Sequence, residues 1–124
     1  KVYDDAKVYG DAKVYGNAIV LGNARIYGNA KISGDARISG DARILDSAEI
    51  KSNFDYSCFQ SFGRVGRTTT VFREKENKIK INCGCFKGSV EEFEKEVEKT
   101  HGDSKFGREY KAIINIIKIK FDLD

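Results

Sequence analysis

The sequence predicts a mainly β fold: a solenoid of about three triangular coils over residues 2–53, then a small α+β part of order ββαα. Three interlocked registers carry the solenoid. An aliphatic residue recurs at every sixth position from Val2 and Val8 through Ile26 to Ile50. Alanine holds a second register, from Ala6 to Ala48, and glycine a third, from Gly10 to Gly40. Such self-similarity marks a stack of short β units, each burying its apolar side against its neighbours.

Each unit reads as four strand residues and a two-residue corner, as in Ala12-Lys13-Val14-Tyr15 followed by Gly16-Asn17. Ala and Val/Ile then point inward, with Lys/Arg and Tyr outward. Gly suits a corner that needs positive φ, and Asn or Asp tolerates it at small cost. Three units close one turn, so residues 18 apart stack. The corner stacks become Asp5-Asn23-Asp41, Asp11-Asn29-Ser47 and Asn17-Asp35-Asn53. No Asp lies on another Asp, as expected if directly stacked like charges are disfavoured.

The repeat breaks at Phe54, which stands in the alanine register. A phenyl ring does not fit a small inward site, so Phe54 is expected to cap the open end with Tyr56, Phe59 and Phe62. This gives a solenoid over 1–56, a cap and linker over 57–67 and a ββαα domain over 68–124. Within the last, Thr68 to Arg73 is β-rich, and Lys78-Ile79-Lys80-Ile81-Asn82-Cys83 alternates as the return strand of a hairpin. Ser89 opens a helix through a capping box with Glu92; Val90, Phe93 and Val97 form its buried face and Gly102 ends it. Asp103 is expected to cap a second helix with an apolar stripe of Phe106, Tyr110, Ile113, Ile114 and Ile117.

At 124 residues and 40% hydrophobic content the chain can build a core. No apolar run approaches the ~18 residues of a membrane span, so no membrane partner is expected. Three cysteines, an odd count, are expected as reduced thiols in a cytoplasmic protein. The chain lacks Met and begins in repeat phase, the expectation for a processed or trimmed piece preceded by further coils. Net charge is +3, carried entirely by residues 51–124, because residues 1–50 hold seven cations and seven carboxylates. That excess is too small to argue nucleic-acid binding by itself.

The run from Val2 to Ile50 resembles the left-handed parallel β-helix of the hexapeptide-repeat proteins, which include acyltransferases and gamma-class carbonic anhydrases. The resemblance implies left-handed coiling, an exception to the usual right-handed crossover, and a trimer or, next, a dimer. Acyl transfer in that family implies a His base, and the carbonic anhydrases imply three metal-binding His. The chain has one His, outside the repeat, so neither activity is well supported and no cofactor is expected. Cys83-Gly84-Cys85-Phe86-Lys87-Gly88, Glu92-Phe93, Thr100-His101-Gly102-Asp103 and Tyr110 resemble a small domain of uncharacterised proteins of gut Firmicutes and their phages. That resemblance implies a phage or mobile-element origin and no known reaction.

Candidate chemistry is sparse. Cys58, Cys83, Cys85 and His101 would in principle make a Cys3His zinc site, but the C-x-C spacing is not the usual knuckle. The plainer reading is small apolar packing residues with a His at a helix C-terminus, and no metal is expected. A Cys85–His101 nucleophilic pair would lack a third orienting residue. Arg64 and Arg67, in the Gly63–Arg67 segment, are candidate anion or nucleic-acid contacts, or simply part of a connecting loop. The strongest functional signal is on the solenoid surface. Tyr9-Tyr27-Leu45 should stack beside Lys7-Arg25-Arg43, with Tyr3, Ile19 and Leu21 on a neighbouring face. Exposed aromatic and Arg side chains are what interfaces use; cross-strand stacking that only stabilises the sheet is the alternative. The expected function is a non-enzymatic protein-interaction module, binding a protein partner or itself. A phage counter-defence inhibitor of a host protein is the concrete version. An active or decayed acyltransferase and a nucleic-acid-binding module are the alternatives.

Overall fold

The computed structural model describes residues 1–123. Eight two-residue strands punctuate the repeat: β1 (Lys7–Val8), β2 (Lys13–Val14), β3 (Ile19–Val20), β4 (Arg25–Ile26), β5 (Lys31–Ile32), β6 (Arg37–Ile38), β7 (Arg43–Ile44) and β8 (Glu49–Ile50). They pair in parallel at a spacing of 18 residues, Lys7 with Arg25 and Arg25 with Arg43 on one side. Lys13, Lys31 and Glu49 stack on the second side, and Ile19 and Arg37 on the third. The sheets are β1-β4-β7, β2-β5-β8 and β3-β6, so each turn of chain contributes one strand to each side.

The expected registers hold. Val20, Ile26, Ile32, Ile38, Ile44 and Ile50 are fully buried, with the alanines from Ala18 to Ala48 between them. Outward residues donate their N–H to the next coil, Tyr9 to Ile26 and Tyr27 to Ile44, both at 3.0 Å. The corner glycines have φ between 61° and 70°, and Asp4 and Asp46 occupy the same register at 57° and 55°. The Asn–Asp alternation has a direct contact in one stack, where the Asn17 amide donates to Asp35 Oδ1 at 3.5 Å.

The C-terminal part differs from ββαα. It has four strands, β9 (Tyr56–Phe62), β10 (Arg67–Arg73), β11 (Ile79–Cys83) and β12 (Phe86–Gly88), in one antiparallel sheet of order β12-β11-β10-β9. The helices α1 (Val90–His101) and α2 (Lys105–Lys120) follow. Most of the segment read as cap and linker is therefore strand β9. Its aromatic residues, expected as part of a cap, sit in a strand whose alternation is blurred by Gln60, Ser61 and Phe62, where Ser61 has φ 69°. The Ser89–Glu92 capping box forms as expected. Ser104, not Asp103, caps α2, its hydroxyl accepting from the Gly107 N–H. Asp103 instead pairs with Lys111 at 3.1 Å.

The sheet is buried on both faces at β10. Val71, with Ile81 and Cys83, packs under the helices against Phe93, Val97, Tyr110 and Ile117. Phe72 belongs to the solenoid core, joined by Tyr56 and Cys58. The sheet thus closes the end of the prism, the task the sequence assigned to Phe54. Phe54 is 80% exposed, with Lys120 Nζ 5.9 Å from its ring. The open edge of the last coil is satisfied by polar groups of the same segment. Arg37 N–H donates to Asn53 Oδ1 (2.7 Å), Asp41 N–H to Gln60 Oε1 (3.2 Å) and Arg43 N–H to Thr70 Oγ1 (3.1 Å). No described helix is long and apolar enough to cross a membrane.

A charge cluster ties the two parts. Lys80 bonds Asp46 at 2.9 Å and Glu74 at 3.3 Å, and Lys87 reaches Asp46 at 3.3 Å. Partial burial pushes the Asp46 pKa up, but the Lys80 and Lys87 hydrogen bonds outweigh it, so the net shift is down. Burial lowers Lys80, and Asp46 and Glu74 more than restore it, so its pKa is raised.

Ile26→Asp buries a carboxylate with no partner and should abolish the cooperative thermal transition, whereas Phe72→Ala should cost about 3–5 kcal/mol in urea unfolding and Phe54→Ala almost nothing. The charge cluster makes stability pH-dependent at both ends. Asp46, with a depressed folded pKa, stabilises above its ordinary value of 3.8, and that contribution is lost as pH falls through the folded value. Lys80, with a raised folded pKa, stabilises below 10.5, and that contribution is lost as pH rises through the folded value. Asp46→Asn should flatten the acid limb of the urea midpoint plotted against pH.

Candidate functional site

The outward residues of the β1-β4-β7 side make the ladder the registers predict. Tyr9 and Tyr27 stack with ring centroids 5.3 Å apart and planes 9° from parallel. Tyr9 is 46% exposed and Tyr27 half-buried. Leu45 does not continue the exposed row. It is 6% exposed and part of the chain's own core, because the sheet crosses this end of the ladder. It is therefore not an exposed contact residue. The helices do not cover this face; they pack on the opposite side of the sheet.

The crossing sheet turns the flat face into a cleft. β10 meets β7 where Arg43 N–H bonds Thr70 Oγ1. Arg67 and Thr68, just before it in β10, and Asn82 and Gly84 from β11 and its turn, form one wall. Lys7, Arg25, Tyr27 and Arg43 form the other, with Asp5, Asn23 and Asp41 at the corner. The volume is about 770 Å³. Arg67 lies flat across Gly84, where an added Cβ would fall 2.6 Å from its Nη1, so only glycine leaves the guanidinium this place.

Four cations from two separately built parts thus face one space. None of the four forms an ion pair within 4.0 Å among the described residues, although Asp5 and Asp41 share the cleft. The other sides differ. One stacks Lys13 and Lys31 on Glu49, and the third places Arg37 on Ile19. Arg64 is not drawn in; it is exposed in the turn after β9. Tyr3 and Leu21 are neighbours on a side outside the cleft, tied by the Tyr3 N–H to Val20 carbonyl bond at 2.8 Å, with Ile19 beside them. Arg67 was the residue whose partners the sequence concealed, since its place depends on how the sheet sits.

The thiols and the histidine do not converge. Cys58 packs on the solenoid side of the sheet and Cys83 on the helix side. Cys85 is exposed in the β11–β12 turn, outside the strand that holds Cys83. His101 sits against Tyr110, ring centroids 5.4 Å apart, in the helical layer. Burial pushes the Cys58 thiol up and keeps it neutral. Tyr110, desolvated and beside Cys83 (Sγ to Oη 3.9 Å), is pushed up to about 12. No His, Cys or Ser lines the cleft, so no acyl-transfer base or nucleophile of those types faces it.

Comparison with protein-family models, with curated proteins and with solved structures gave no match.

His101→Ala should leave ligand binding in the cleft unchanged while altering stability by about 1 kcal/mol through lost packing on Tyr110. Parallel calorimetric and thermal-melt measurements read the two effects separately.

Proposed function

We propose that the chain is a non-enzymatic interaction module. On this reading a left-handed hexapeptide-type β-helix and its capping sheet hold a basic, tyrosine-edged cleft against an acidic surface of a protein partner. The carrying observation is the convergence of Lys7, Arg25, Arg43 and Arg67, unpaired, beside the Tyr9–Tyr27 stack. Tyrosine offers contact area at low entropic cost, and Arg gives directed hydrogen bonds to carboxylates. Rigidity is supplied by the coil-to-coil hydrogen bonds, so little order has to be gained on association. Inhibiting a host protein, the phage-related version of this reading, needs nothing beyond such a surface.

The test uses a phosphate-free, Glu-rich peptide as the acidic probe, followed by NMR. Saturable shifts at Tyr9, Tyr27, Arg25 and Arg43 are expected. Tyr9→Ala should weaken binding by about 1–3 kcal/mol and spare the melting temperature, since the ring is half exposed. Non-saturable shifts spread over all Lys and Arg would overturn the reading.

A further inference from the structure

The arrangement of charge in the cleft asks for a particular kind of anion. Lys7, Arg25 and Arg43 stack one strand apart, about 4.8 Å, and like charges so placed repel. The side carrying Lys13 and Lys31 ends its ladder on Glu49. On the cleft side the ladder itself holds no carboxylate and Arg67 adds a fourth cation from the opposite wall, so the four cations outnumber the two carboxylates of the lining, Asp5 and Asp41. Five basic groups outside the cleft are paired: Arg73 with Asp55, Lys80 and Lys87 with Asp46, and Lys111 and Lys118 with helix carboxylates. What sets the cleft apart is that cations from two parts of the fold line one concave space.

A single carboxylate carries one charge and two acceptor oxygens, too few for three guanidinium groups. A phosphoryl group carries up to two charges and three terminal oxygens, and the planar fork of Arg matches it. Asn82 and Thr68 supply neutral donors on the same wall as Arg67. The cleft, about 770 Å³, falls within the roughly 300–1,000 Å³ range of small-ligand sites. It therefore admits the group together with what it is attached to.

We infer that the cleft of Arg25, Arg43 and Arg67, with Lys7 at its rim, is a binding site for a phosphoryl group. This rests on the interaction-module reading and names the chemistry its site recognises. The group has two sources, a phosphorylated side chain of a protein partner or the phosphates of a free nucleotide.

Four probes separate the possibilities by isothermal titration at an ionic strength of about 0.15 M, where surface charges farther apart than about 8 Å are screened. They are an acidic phosphoserine peptide, the same peptide with Ser, the same with Glu at that position, and ATP. The phosphopeptide should bind at least tenfold tighter than both counterparts. Arg25→Gln and Arg67→Gln should each lose tenfold or more at unchanged melting temperature, and Lys31→Gln, on another side of the solenoid, should lose nothing. If ATP binds with the same variant pattern and the phosphopeptide gains nothing over its Ser form, the phosphoryl site stands and its source is a nucleotide. If the Glu peptide binds as tightly as the phosphopeptide and ATP does not bind, the phosphoryl inference falls and the interaction-module reading survives. If no probe binds, or Lys31→Gln weakens binding as much as the cleft variants do, both fall.

Discussion

The structure depends on closing one end of the solenoid. A stack of parallel coils leaves its last coil with an open apolar interior and a row of backbone groups facing outward, and such an edge invites uncontrolled pairing. This chain meets both needs with one sheet and the short turn that leads into it. Phe72 and Tyr56 enter the apolar end, and Thr70, Asn53 and Gln60 accept from the free N–H groups of Arg43, Arg37 and Asp41. β10 is consequently buried on two faces, and its neighbouring residues Val71 and Phe72 belong to two different cores. The two parts are joined by shared burial and by the Asp46 charge cluster. Asp46 itself stands in the glycine register of the corners, where its carboxylate reaches Lys80 and Lys87 at the cost of a mildly unfavourable positive φ.

The cleft is a by-product of that closure. The sheet crosses the β1-β4-β7 side at its far end, burying Leu45 and raising a wall above Arg25 and Arg43. A surface that would be a flat, half-apolar ladder becomes concave, with four cations and two carboxylates lining it. The same closure separates the groups that nucleophilic or metal chemistry would need. Cys58 and Cys83 lie on opposite faces of the sheet, and His101 is held against Tyr110 in the helical layer. The thiols and the histidine therefore lie outside the basic cleft.

Legibility in the sequence followed how local each cause is. Period six needs only nearest-neighbour stacking, so Val/Ile, Ala and Gly reveal coil length, inward faces and corners without knowledge of anything distant. The capping box at Ser89 and the apolar faces of both helices are equally local. Strand β9 was hidden because its pattern is set by two different neighbours. Tyr56 and Cys58 face the solenoid while Phe59 faces the helices, and Ser61 bends the end of the strand. Phe54 departs from expectation for a related reason: an aromatic ring at a repeat break resembles a plug, but the ring that fills the solenoid end is Phe72, eighteen residues later.

By itself the sequence determined the solenoid, its 18-residue stacking and the ladders of like residues on each side, because each of these is a consequence of spacing along one chain. It also determined that Lys7, Arg25 and Arg43 would stand in a row beside Tyr9 and Tyr27. Only the tertiary structure decided that Leu45 would leave that row, that Arg67 and not Arg64 would join it, and that the cysteines would be dispersed. Those outcomes depend on where the sheet lands on the last coil. That placement is set by long-range packing of Phe72 and by the hydrogen bonds that cover the coil's edge, neither of which has a period along the chain.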